Sequence, residues 1–286
     1  MIRYLTIFCF ILSTSYAEAG GGWTQGKKEL YLKFGQQWVI FNQFYDKDGA
    51  TITDRSRSFG TTSLYAEYGI SDRLTGIVYF PFYSKSTLFE QKNSANGMVL
   101  HDGETFSSIG DTNIAIKYGL LTQSRIVVSA SLTLGLPVGE VNKGTDGSLQ
   151  TGDGEFNQMI SLDFSSSIKV AGAYPYVSLN TGFNNRTEGF SDEFRYGFET
   201  GIGAGKWNII FKVFGVKSFY NGSVDDNLFF EGLLSNNTEY TIVSPELAFK
   251  MSDKWGVSAS MAKAISGQLM YVQPSYTMGV FFDLDI

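Results

Sequence analysis

Hydrophobic and polar residues alternate along most of the chain. Over residues 111–120, Ile114, Ile116, Tyr118 and Leu120 share one parity, while Asn113, Ala115, Lys117 and Gly119 share the other. A strand sends these sets to opposite faces, whereas a helix mixes them. The same period recurs downstream. Phe194, Tyr196, Phe198 and Ile202 oppose Arg195, Gly197, Glu199 and Gly201, and Val243, Pro245, Leu247 and Phe249 oppose Ser244, Glu246, Ala248 and Lys250. Ile126, Val128, Leu132 and Leu134 alternate with Ser129, Ser131 and Thr133. Tyr276, Met278, Val280 and Phe282 alternate with Ser275, Thr277 and Gly279. Residues 74–81 give no clean assignment of faces.

The pattern predicts about twelve strands, beginning near Glu29, Ser58, Arg73, Gly110, Arg125, Glu155, Tyr174, Glu193, Lys206, Glu239, Lys254 and Met270. Tight turns fall at 70–73, 121–124, 170–173, 204–206 and 251–254. Longer polar connections span 46–57, 84–108, 138–154, 184–192 and 221–238, and only the link at 266–269 breaks the alternation. A soluble sandwich scatters its crossings. A meander with its long loops sorted to one end is instead the plan of an all-β fold, a transmembrane antiparallel up-and-down β-barrel with short periplasmic turns and long extracellular loops. Closure satisfies every backbone N–H and C=O within lipid. Tyr68, Tyr118, Tyr174, Trp207 and Trp255 lie beside the short turns; Phe41, Phe82, Tyr83, Phe183, Tyr220 and Tyr271 lie toward the other end. They predict two aromatic girdles, the alternative being core aromatics of a secreted soluble β-protein.

Met1-Ile2-Arg3 is a short basic start, residues 4–12 form an apolar run, and Ala17-Glu18-Ala19 gives a small-x-small pattern. Residues 1–19 therefore read as a secretory signal peptide. Residues 20–28 then form a short periplasmic N-terminal segment, and 29–286 the outer-membrane barrel. Lipoprotein processing at Cys9 is disfavoured, because bulky Phe8 stands where a small residue is needed. No later segment approaches 18 uninterrupted apolar residues, but a spanning strand needs only about 9–11.

Composition fits an embedded barrel. Hydrophobic residues make up 43% and charged residues 17%, the latter against about 25% in soluble domains. The formal charge of −6 argues against a nucleic-acid partner, which needs clustered Lys and Arg. One His and one Cys leave no basis for a His/Cys zinc site or a Cys–His nucleophile pair. No cofactor and no metal are expected.

The inward parity carries both signs of charge at Glu67, Asp111, Lys117, Asp163, Arg195, Glu199, Lys212, Glu246 and Lys250. These are the candidate pore-lining residues. Charges in a narrow lumen must be paired or hydrated. They either stiffen the barrel as ion pairs or set a pore's selectivity, and both roles are compatible. Twelve strands lie between filled eight-stranded barrels and open sixteen-stranded ones, so a narrow pore gated by infolded loops is expected. Residues 84–108 are the best candidate for such a loop. Residues 20–28 are too short for a plug domain by themselves. Lys117, Arg195 and Glu199 are expected at the narrowest point.

Several short motifs occur in a telling order. Residues 67–74 (Glu-Tyr-Gly-Ile-Ser-Asp-Arg-Leu) join a strand end, a turn and a restart. Gly110-Asp111 opens a strand that ends Lys117-Tyr118-Gly119-Leu120. Then come Leu134-Gly135-Leu136-Pro137-Val138-Gly139, Gln150-Thr151-Gly152, and Ser266-Gly267 before the last strand. This order resembles the "meta-pathway of phenol degradation" family of outer-membrane transporter barrels, over roughly residues 61–286. The resemblance implies passive uptake of small, hydrophobic or aromatic molecules across an outer membrane. Barrels of this kind often end in an aromatic residue read by the barrel assembly machinery. This chain ends Asp285-Ile286, with Phe281 and Phe282 nearby.

Other chemistry is weaker. Residues 201–206 (Gly-Ile-Gly-Ala-Gly-Lys) lack the spacing and the Ser/Thr of a phosphate loop. Asp225-Asp226 do not make a calcium shell. Gly110-Asp111 reads as a tight approach with an Asp that caps loop amides, rather than as a ligand contact. His101 lies in the longest loop, whereas a phospholipase-like Ser–His hydrolase needs its His on a strand. An enzyme is therefore not expected. The alternatives to a channel are a structural or surface-binding barrel without transport and, third, that hydrolase.

Overall fold

The computed structural model describes residues 21–93, 95–224 and 234–286. The proposed signal peptide and Asp225-Asp226 lie outside the described residues. Twelve strands form the wall: β1 (Glu29–Tyr45), β2 (Thr51–Ser71), β3 (Leu74–Leu88), β4 (Thr112–Leu121), β5 (Val127–Leu136), β6 (Asn157–Ser167), β7 (Tyr174–Arg186), β8 (Glu193–Ala204), β9 (Trp207–Ser218), β10 (Glu239–Lys250), β11 (Trp255–Gln268) and β12 (Ser275–Asp285). Each pairs antiparallel with the next. β12 pairs with β1 from Glu29↔Asp285 to Trp38↔Tyr276, which closes the sheet. Glu104–Ser108 carries the line of β4 along β3, and Met270–Tyr271 carries that of β12 along β1.

The alternation read from the sequence sorts the side chains. On β4 and β6, Ile116 and Ile160 are 54% and 64% exposed, while Lys117 and Asp163 are 3% exposed. Large apolar residues thus cover the outside, and charged and hydroxyl groups fill the inside. An outer surface of this kind is stable in hydrocarbon rather than water, so the fold is an outer-membrane type of barrel. Tyr68, Tyr118, Trp207 and Trp255 are exposed toward the short-turn end, and Phe82, Tyr83, Phe183 and Tyr220 toward the other.

Four details differ from the sequence expectation. Phe41 and Tyr271 do not join a girdle. They point inward and stack at 5.2 Å within a buried cluster with Val39, Phe44, Ile242 and Met270. Residues 74–81 resisted assignment because both faces are apolar: Ile77 and Tyr79 pack inside with Tyr31, Tyr65 and Phe281, while Val78 faces outward. The first long connection, expected over 46–57, shrinks to five residues between β1 and β2. There the Asp46 carboxylate accepts the Asp48 and Ala50 amides, and Gly49 takes a φ of 79°, so the hairpin extends beyond the wall. Finally, residues 84–108 do not fold inward. They lengthen β3 against Glu104–Ser108 and end in a small exposed hairpin, Gln91–Lys92 with Val99–His101.

Candidate functional site: the barrel lumen

At the short-turn end the segment before β1 enters the lumen. Lys117 Nζ donates to the Gly21 carbonyl at 3.0 Å, and the Gly22 amide donates to Ser165 Oγ at 2.7 Å. The Gln25 amide donates to Thr75 Oγ1 at 2.9 Å, and Gln25 Nε2 to Glu67 Oε2 at 3.0 Å. Trp23 meets Tyr176 edge-on at 6.1 Å. Residues 21–28 are too few for a domain, yet they span the mouth because β2, β3, β4, β6 and β7 each offer an inward polar or aromatic group. Too short for a plug domain, as expected from its length, this segment rather than 84–108 is the one that enters the lumen.

Beside it lies an ion-pair network. Glu246 accepts from Lys33 at 3.0 Å and from Lys212 at 2.7 Å. Lys212 stands 3.9 Å from Glu199, which also accepts from the Tyr176 hydroxyl at 2.8 Å. Tyr65 donates to Glu67. Asp163 accepts from Asn180 at 2.8 Å, and Lys250 lies 3.6 Å from Asp283.

The long-loop end has a second charged layer. Arg186 donates to Glu155 at 2.6 Å, Glu193 at 2.9 Å and Asp153 at 3.2 Å, with its guanidinium 4.4 Å from the Phe190 ring. Arg195 reaches Glu193 at 2.9 Å. Asp111 works as the cap read from Gly110-Asp111, accepting the Gly139 amide at 2.9 Å and the Asp153 amide at 2.7 Å. It thereby pins the β5–β6 loop across the mouth. Burial, then the adjacent Asp111 carboxylate, pushes Asp153 up to about 7. Burial also raises Asp111 and Glu155.

Beneath this loop is a cavity of about 160 Å³. Phe59, Tyr79, Pro81 and Met159 line it, together with Asp111, Asp153, Asn184 and Arg195.

The predicted site residues thus fall into separate groups. Glu199, Lys212 and Glu246 share one network; Glu67 and Lys117 hold the N-terminal segment; Asp111 and Arg195 line the cavity. Lys117, Arg195 and Glu199, expected at the narrowest point, bond to the Gly21 carbonyl, Glu193 and the Tyr176 hydroxyl respectively. Lys33, Asp153, Glu155, Arg186 and Glu193 were not among the candidates. Lys33 had a signal, standing between Leu32 and Phe34 on the polar parity. The other four sit at strand ends or in a loop, where alternation carries no information. His101, the only histidine of the chain, is on the exposed outer hairpin rather than on the wall.

No known family model matches the chain, and no curated protein matches it. Solved structures do share the fold. An outer membrane channel from Pseudomonas putida F1 superposes with a TM-score of 0.62 at 11% identity, covering 94% of this chain and 100% of that one. The NanC porin gives a TM-score of 0.48 at 8% identity, covering 89% of this chain and 100% of that one.

Proposed function

We propose that the chain is a passive outer-membrane channel for small, hydrophobic or aromatic molecules, with its short turns in the periplasm and its long loops outside. The carrying observation is the cavity inside a lipid-compatible wall, where Phe59 and Tyr79 offer aromatic faces beside polar groups. The motif order resembling the phenol meta-pathway family supports the same reading. The nine charged residues named from the sequence act as pore-lining groups, with Glu67 and Lys117 also holding the segment that narrows the periplasmic mouth. A cleaved leader over residues 1–19 directs export. Phe282 near the C-terminus serves as the displaced signal for the barrel assembly machinery, and outer-membrane lipid surrounds the wall.

Planar-bilayer recordings of the purified protein, together with uptake by a deletion strain, test this. Discrete conductance and an uptake defect are expected; a silent barrel and unchanged uptake overturn it. The buried Lys33–Glu246–Lys212 network and the narrowed mouth favour one second reading, a structural barrel without transport. That reading requires the protein to stay silent even when residues 21–25 are deleted.

A further inference from the structure

We propose that the cavity under the β5–β6 loop is a binding site for a small organic ammonium ion with an apolar body. Such a site rests on the channel reading for its biological meaning, since it occupies that lumen, but its occupancy is measurable without conduction.

Charge gives the sign of the ligand. Four carboxylates, Asp111, Asp153, Glu155 and Glu193, stand in this layer against two guanidiniums, Arg186 and Arg195. Glu155 and Glu193 hold the two arginines at 2.6–2.9 Å. Arg186 also reaches Asp153 at 3.2 Å and Arg195 stands in the cavity wall, so the surplus of carboxylates over guanidiniums falls on Asp111, the one of the four with no guanidinium partner among the described residues, beside Asp153. A cation compensates it; an anion adds to it.

Hydrogen-bonding capacity points the same way. Asn184 is 1% exposed and lines the cavity. Its Nδ2 donates to Asn157 Oδ1 at 2.7 Å and to Glu193 Oε2 at 3.2 Å. Those two bonds fix the amide orientation, because a flipped amide would set oxygen against oxygen. Asn184 Oδ1 is then a buried acceptor with no partner among the described residues. Leaving such an acceptor unpaired is costly, and an ammonium group brings three donors. Phe59 and Tyr79 supply aromatic surface for the apolar body and for the cation. The volume of about 160 Å³ equals roughly five waters at ~30 Å³ each, which suits a one-ring amine.

Isothermal titration of the folded, detergent-solubilised barrel with phenethylammonium, 2-phenylethanol and 3-phenylpropanoate reads this directly. The ammonium ion is expected to bind at least tenfold more tightly than the alcohol, with no binding of the carboxylate. Asp153→Asn and Asn184→Ala are each expected to weaken the ammonium at least tenfold while keeping the gel mobility of the folded barrel. The groups facing Asp153 are Asp111 ahead of β4, Glu155 in its own loop, Arg186 on β7, and Glu193 and Arg195 on β8. In the wild-type protein, affinity is expected to fall between pH 8 and pH 6 as the carboxylate layer takes up a proton, a readout that needs no variant. Equal affinity for the alcohol, wild-type affinity in both variants, or a pH-independent affinity overturns the site. Binding with no conductance would instead sink the channel reading and leave the site standing.

Discussion

Lys33 and Glu246 meet at 3.0 Å although 213 residues separate them. They lie on β1 and β10, so inside the lumen the pair bridges the two intervening strands, β12 and β11. Glu246 also takes Lys212 at 2.7 Å and is the shared anion of two buried ammoniums. Glu246→Gln is expected to cost about 3–5 kcal/mol, because Lys33 loses its compensating charge and Lys212 keeps only the more distant Glu199 at 3.9 Å. Lys33→Met is expected to cost less, since Glu246 keeps Lys212. The urea midpoint of the folded gel mobility ranks the two; an equal or reversed order refutes the shared-anion arrangement.

Gly69 sets how closely the N-terminal segment approaches the wall. A Cβ there would fall 1.8 Å from the Gly26 carbonyl oxygen. Gly69→Ala is therefore expected to push residues 21–28 out of the mouth and raise single-channel conductance. Gly76→Ala, whose Cβ would meet only Ile70 at 3.5 Å, is the matched control. Identical conductance in both would show that this segment is not the barrier.

Asp111 is the latch of the β5–β6 loop. Asp111→Ala removes two charge-assisted hydrogen bonds, each worth about 1.5–3 kcal/mol. Hydrogen exchange at the Gly139 and Asp153 amides is expected to quicken at least tenfold, with strand amides unchanged.

The same loop carries a pH dependence. Asp153 is raised to about 7, first by burial and then by the Asp111 charge, so the docked loop holds a proton that the undocked loop releases. Its contribution to docking is full below the ordinary carboxylate range and is lost as pH rises through about 7. Limited proteolysis within 138–156 is expected to be slower at pH 6 than at pH 8. Faster cleavage at pH 6 would reverse the assignment.

The outward parity is tested at one residue pair. Ile160 faces out and Ser161 faces in. Ile160→Arg is expected to lower folding into bilayers by about 2–4 kcal/mol if it sits near the midplane, while Ser161→Ala has little effect. Folding yield in lipid vesicles measures both, and an indifferent Ile160→Arg would contradict a hydrocarbon-facing wall.

Strand order and facing were legible wherever one parity is apolar and the other polar, as on β4, β5, β8, β10 and β12. Legibility failed where the lumen itself is greasy. Ile77, Phe41 and Tyr271 carry the same hydrophobic signature inside as lipid-facing residues carry outside, and no local pattern separates the two. Of the site, Glu199 and Glu246 were found because β8 and β10 alternate cleanly. The Arg186 layer was missed because its members come from a strand end, a strand start and a loop, and meet only through tertiary packing. The entry of residues 21–28 was missed because its hydrogen bonds and its one ring contact come from five separate strands.

The seam between β1 and β12 dictates an order of assembly. Those strands are the first and last of the wall, and the Ile286 amide donates to the Lys28 carbonyl at 2.9 Å. Every other strand can be laid down while the cylinder is still an open ribbon. The occluding stretch leads directly into the seam strand, so it can be seated sideways through the gap before the final zipper runs and need never thread a finished tube.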